Sequence, residues 1–199
     1  MAVAGGKRVA RRLGATICFA DESGLTLRPA KARTWAPRGR TPVVTVAGRG
    51  GRRISIAGLV CYRPGHHGRL IYRMLFHHGR RGEPKGLREP DFAALLDAAH
   101  QQLGTPIVLV WDQLPGHISA AMRQLIRTRT WLRVYQLPGY APELNPTENV
   151  WSNLRRGLAN LAAGSVTDQA RTAKNRLKRM QYRPGLVDSF LAATGLSPP

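Results

Sequence analysis

Apolar residues along the chain fall into two patterns, short near-continuous runs and stripes that repeat every three to four positions. Ala15-Thr16-Ile17-Cys18-Phe19-Ala20 is a compact run that meets Asp21-Glu22-Ser23-Gly24, which reads as a buried strand stopping at a polar turn. Residues 54–62 and 69–76, rich in Ile, Val, Leu, Tyr and Phe, flank Arg63-Pro64-Gly65-His66-His67-Gly68, the pattern of two antiparallel strands joined by a turn. Between the first strand and this hairpin, residues 28–53 scatter Pro, Gly and Arg without a period. Apart from Val43-Val44-Thr45-Val46 they read as a long basic loop.

Glu89-Pro90-Asp91 then opens a helix with Phe92, Leu95, Leu96 and Ala99 on one face, ending near Gly104. Residues 106–112 are almost wholly apolar, as a strand covered on both faces requires. Ile118, Ala121, Met122, Leu125 and Ile126 place a helix in 117–129, and a further strand occupies 131–137. Trp151, Leu154, Leu158 and Leu161 stripe a helix over 146–162, and two more helices are expected over 166–181 and 185–193. Three strands, helix, strand, helix, strand, helix is the order of a ribonuclease H-like α/β fold, a mixed five-stranded sheet flanked by helices. The expected organisation is a basic N-terminal tail (1–14), a catalytic domain (15–162) and C-terminal helices (163–199) packed on the same domain.

Charge changes the picture from fold to partner. The chain carries 31 Lys and Arg against 11 Asp and Glu, a net charge of +20, which points to a partner rich in phosphates. Arg-rich coding accounts for Arg over Lys but not for the shortage of acids. Two cysteines far apart, Cys18 and Cys61, suggest neither a disulfide framework nor a zinc site, and no apolar run reaches membrane-spanning length. A cytoplasmic, nucleoid-associated protein with no membrane partner is expected.

Against that basic background three acids stand out. Asp21 ends the first strand, Asp112 ends the fourth, and Glu148 begins the helix after the fifth. Parallel neighbouring strands open their carboxyl ends onto one crevice. Carboxylates there repel phosphates unless divalent cations lie between, and two Mg²⁺ or Mn²⁺ ions about 3.5–4 Å apart are the expected cofactor. Singly, each acid has an ordinary explanation. Asp21 suits a turn, Asp112 closes a strand, and Asn145-Pro146-Thr147-Glu148 is a helix-start pattern. Their joint order is what points to phosphodiester chemistry.

Glu22, Gln113, His117 and Asn145 are placed behind the acids as supporting residues, with Glu143 ranked as structural; for His117 a capping or packing role stands equally. Candidate DNA contacts are Arg33, Arg38, Arg40, Arg52 and Arg53 in the loop, with Trp35 as a stacking platform, and Arg155, Lys174 and Lys178 on the later helices. Trp111 and Trp151 fall in apolar patterns and are assigned to the core. His66, His67, His77 and His78 match no metal-ligand spacing and are read as solvated or phosphate-contacting.

Four stretches resemble the bacterial insertion-sequence transposases related to the mariner elements, within the DDE superfamily of endonucleases. They are Asp21-Glu22-Ser23-Gly24, Arg33 through Pro42, Val110-Trp111-Asp112-Gln113 with His117, and Leu137 through Trp151, with a mid-thirties spacing between the second and third acids. The resemblance implies metal-dependent cleavage at transposon ends and strand transfer into target DNA, with Asp21, Asp112 and Glu148 as catalytic triad and metal ligands. Gln113 stands where the family's motif has Asn. Such transposases also carry a helix-turn-helix region that reads the terminal repeats. None is expected before residue 15, so a separate or missing N-terminal partner is expected, together with a homodimer in the active complex. A catalytically idle DNA-binding relic and another ribonuclease H-like nuclease are the alternatives.

Overall fold

In the computed structural model, residues 2–27, 33, 35–40, 42, 43, 45, 52–84, 86–139, 141–161 and 163–196 are described. Strands β1 (Thr16–Thr26), β2 (Arg53–Tyr62) and β3 (Arg69–His77) form an antiparallel meander, and β4 (Ile107–Trp111) and β5 (Leu132–Gln136) continue the sheet in parallel beside β1. The spatial order is β3-β2-β1-β4-β5. Helices α1 (Ala2–Leu13), α2 (Glu89–Leu103), α3 (Ala120–Arg127), α4 (Pro146–Leu158), α5 (Val166–Gln181) and α6 (Pro184–Ala192) cover the two faces.

Period-two alternation sorts the strand residues between two cores. Ile17, Phe19, Val108 and Val110 join Trp151, Leu154, Leu177 and Phe190 on the face covered by α1, α4, α5 and α6. Cys18, Ala20, Leu109 and Trp111 join Phe92, Leu96 and Met122 on the face covered by α2 and α3. β1 and β4 are buried on both sides, hence their unbroken apolar runs.

Two expectations are corrected here. The basic N-terminal stretch is a helix, α1, not a tail: Gly6 lies against Val108 and Tyr135 and Ala10 is buried, while Arg8, Arg11 and Arg12 face solvent. Two glycines in a short stripe disfavour a helix locally, and packing on β4 and β5 overrides that preference. β1 also runs on through Asp21-Glu22-Ser23-Gly24 instead of turning there, because these residues pair with Gly58, Ala57, Ile56 and Ser55 of β2. Asp21 lies within the strand; what ends nearby is the β1–β4 pairing, at Phe19↔Val110.

Smaller differences follow from capping. α3 begins at Ala120 because Ser119 accepts a hydrogen bond from the Met122 amide, which leaves Ile118 outside the helix and exposed. α4 stops at Leu158. Within the basic loop, Val43 and Thr45 are not in a strand and Val43 is exposed, while Thr34, Thr41, Val44 and Val46, with Tyr140 of the last motif, lie outside the described residues. His77 is buried and shares a 2.9 Å hydrogen bond with Ser55, not solvated as expected. Cys18 and Cys61 are register partners, with free thiols 3.1 Å apart. No described helix is long and apolar enough to cross a membrane.

Candidate active site

The register that ends at Phe19↔Val110, carried two residues further, sets Asp21 level with Asp112. The alternation that puts Phe19 and Val110 toward α4 puts both acids on that same face. α4 arrives there N-terminus first, and its start is sewn to β1 just before Asp21. The Asn145 side chain caps α4 by accepting from the Thr147 amide at 3.1 Å and donates to the Ala20 carbonyl at 3.0 Å. Thr147 Oγ1 donates to the Phe19 carbonyl at 2.8 Å. The helix-start pattern and the placement of the third acid are therefore one device, since the cap that begins α4 also sets Glu148 beside β1. Asp21, Asp112 and Glu148 line a single cleft of about 460 Å³, with Gln113 and Asn145 in its wall and Leu114, Leu137 and Pro138 on its apolar side.

Each acid is held by a different partner. Asp21 Oδ2 accepts from the indole Nε1 of Trp151 at 2.9 Å. Asp112 Oδ1 accepts from His117 Nδ1 at 2.6 Å and from the Leu114 amide at 3.2 Å. The His117 ring is buried, lying flat on Trp111 at 4.2 Å with Phe92 edge-on. Glu148 lies 3.6 Å from Arg155, both half-exposed. Gln113 donates to the Leu137 carbonyl at 3.1 Å, tying the loop after β4 to the end of β5.

The environment separates the acids electrostatically. Burial first, then the charge of Glu148, pushes Asp21 up to about 7, against the lowering pull of the Glu22 amide and Trp151 and with a further push from Asp112. Burial also acts to raise Asp112, but the hydrogen bonds from His117 and the Leu114 amide outweigh it and hold the carboxyl below its ordinary value. Glu22, on the opposite side of β1, is raised chiefly by desolvation, against the pull of His117 and with a push from Asp112. Glu143 lines a neighbouring hollow with Glu148, away from Asp21.

Carboxylate oxygens are the donors that Mg²⁺ and Mn²⁺ prefer. The mutual repulsion around Asp21 is what a cation placed among these oxygens relieves. Among the described residues no three acidic, histidine or cysteine side chains are gathered tightly enough to hold one ion as they stand.

The residues assigned to DNA are spread over the surface. Arg33, Trp35, Arg38, Arg40 and Arg52 are exposed on the connection between β1 and β2, with Trp35 fully so, while Arg53 begins β2 half-buried. Lys174 and Lys178 project from the exposed side of α5, where Lys178 lies over the Tyr182 ring. Arg155 faces Glu148. Sequence reasoning missed the roles of Thr147 and Trp151. Trp151 was assigned to the core, which it does occupy, but its spacing of three from Glu148 was the available signal that both share one side of α4.

A family profile described as DDE superfamily endonuclease matches residues 16–169. No curated protein sequence matches. Among solved structures, the mariner Mos1 paired-end complex with Mg aligns over 100% of this chain and 61% of its own, at 16% identity and a TM-score of 0.62. The Mos1 transposase paired-end complex with left transposon end aligns over the same 100% and 61%, at 17% identity and 0.59. The structure of the Mos1 transposase catalytic domain and raltegravir with Mg is covered over 93% of its length, at 15% identity and 0.55. At these identities the likeness establishes the fold, a ribonuclease H-like mixed sheet flanked by helices. The chain spans about 61% of the length of the longer Mos1 chains.

Proposed function

The chain belongs to the DDE superfamily endonucleases, and from that footing we propose that it is the catalytic domain of a mariner-related transposase, which cuts DNA at transposon ends and joins them to target DNA. The observation that carries this is the placement of Asp21, Asp112 and Glu148 on one cleft of a chain whose net charge is +20. An isolated trio of acids weakens phosphate binding unless cations bridge them to the backbone being cut.

Asp21, Asp112 and Glu148 are the ligands in this proposal, holding two Mg²⁺ or Mn²⁺ ions. When bound, the ions activate the attacking water or sugar hydroxyl and stabilise the leaving oxygen. The chain's own part is to present the oxygens. Trp151 donates to Asp21 Oδ2, and His117 and the Leu114 amide donate to Asp112 Oδ1, so each of these carboxylates is oriented by hydrogen bonds at the cleft. Arg155, released by Glu148, is then free to meet a phosphate. Residues 15–162 make up the catalytic domain in this account, with α5 and α6 packed on it.

DNA approaches along Arg33, Arg38, Arg40, Arg52, Arg53, Lys174 and Lys178, with Trp35 stacking on an exposed base. A helix-turn-helix domain or partner outside these residues reads the terminal repeats, two copies act together, and the setting is the nucleoid. The test is cleavage of DNA carrying the element's ends in Mg²⁺, Mn²⁺ or chelator. Cutting that needs the metal and disappears in Asp21→Asn and Glu148→Gln is expected; cutting that survives chelation overturns the metal mechanism.

A further inference from the structure

Gly58 lies directly opposite Asp21 in the β1–β2 ladder. It is not a turn residue. A Cβ at this position would stand 2.8 Å from Cη2 and 3.0 Å from Cζ2 of Trp151, closer than packed side chains approach. The glycine therefore leaves a bare patch of strand on which the indole ring is seated, and the seated ring delivers Nε1 to Asp21 Oδ2.

Burial by itself does not account for this hydrogen bond. Trp111 is buried to the same degree, and its Nε1 has no hydrogen-bond partner among the described residues. Of two equally buried indoles, the one on α4 is thus the one whose N–H meets an acid of the cleft. Trp151 also lies one turn after Glu148 on α4, so the same turn of helix carries the third acid and the group that holds the first. Asn145 and Thr147 bind that turn to the Phe19 and Ala20 carbonyls. The first turn of α4, which carries Glu148, is thereby held against β1 next to Asp21.

We propose that Trp151, seated on Gly58, is a positioning residue for Asp21: its indole N–H holds Oδ2 and so fixes the orientation in which the carboxylate meets a divalent cation shared with Glu148. This rests on the metal-dependent function proposed above. Partners that orient a ligating carboxylate typically contribute ten- to a hundred-fold to metal affinity.

The test is Mn²⁺ binding, followed by paramagnetic resonance or calorimetry without DNA, on the whole chain. Three replacements are compared. Trp151 is exchanged for β-(3-benzothienyl)alanine, which keeps the bicyclic shape but has no N–H; Trp151→Phe removes the donor with part of the ring; and Gly58→Ala unseats the ring and leaves the donor in place. Each is expected to weaken Mn²⁺ by about ten-fold or more, while the benzothienyl protein melts close to the parent. Gly58→Ala added to Trp151→Phe is expected to cost nothing further, because the smaller ring vacates the seat. Mn²⁺ affinity within two-fold of the parent in the benzothienyl and Phe proteins overturns the positioning role and leaves the metal site standing. A parent that binds Mn²⁺ no better than Asp21→Asn overturns both. An additive double substitution overturns the role of Gly58.

Discussion

His117 Nδ1 lies 2.6 Å from Asp112 Oδ1, and the same imidazole lies flat on Trp111, the residue immediately before Asp112. Strand end, acid and histidine thus form a closed loop in which the stacked ring cannot turn without losing either contact. The loop explains why Asp112 stays ionised below its ordinary range although partly buried.

Removing that support is expected to act on the metal. His117→Ala should weaken Mn²⁺ binding by about ten- to a hundred-fold, and nicking should fall with it at a limiting metal concentration and recover in part at high Mn²⁺. A metal titration of the variant is the check; unchanged affinity would show that His117 is only a packing residue.

Asp112→Asn keeps the shape of the side chain and removes its charge, so metal-dependent nicking should drop by at least about a hundred-fold. Glu22→Gln and Glu143→Gln, which touch the opposite side of β1 and the neighbouring hollow, should stay within about ten-fold of the parent. Plasmid nicking under single-turnover conditions separates the cases. Equal losses at all these positions would dissolve the distinction between ligands and bystanders.

Duplex DNA binding should fall steeply with salt, because each neutralised phosphate releases counterions. Arg38→Ala with Arg40→Ala should lower the slope of log K against log salt by about two. A slope unchanged by the pair would remove the β1–β2 connection from the interface. Little preference for the element's terminal repeats over random DNA is expected, and a competition assay at moderate salt that found strong discrimination would overturn this.

Far from the cleft, Arg129 grips Asp97 through Nε at 2.7 Å and Nη2 at 2.6 Å, tying the residues before β5 to α2. The hydrogen bond, against a small desolvation, lowers Asp97 below 3.8, and the folded state therefore gains from its ionisation. The gain is present above pH 3.8 and is lost as the pH falls through the lower folded value. Asp97→Asn should cost about 1 kcal/mol at neutral pH, discounted for the half-exposed site, and the gap from the parent should close in strong acid. Thermal melts of the two proteins as the pH is lowered test it, and a gap that does not narrow with falling pH would assign the cost to packing.

Much of the fold was legible in the chain because its signals are local. The apolar runs at 54–62 and 106–112 and the stripe Trp151, Leu154 and Leu158 identify β2, β4 and α4 by their period, and a single strand–helix alternation ranks the elements into a mixed sheet. α1 was not legible, since its helicity depends on β4 and β5, which lie a hundred residues away. The extension of β1 was hidden for a similar reason: Asp21-Glu22-Ser23-Gly24 has turn composition, and only pairing with β2 makes it strand.

The sequence by itself determined the identity and order of the acids, the cap that starts α4 and the charge that invites phosphate. Those follow from residue type and spacing, which no folding event alters. Tertiary structure decided how Asp21 is held, because that depends on contacts between residues distant in the chain: Trp151 with Asp21 across the β1–α4 junction, and the space at Gly58 that admits the ring. A glycine's missing side chain has no signature until something is packed into the space it leaves.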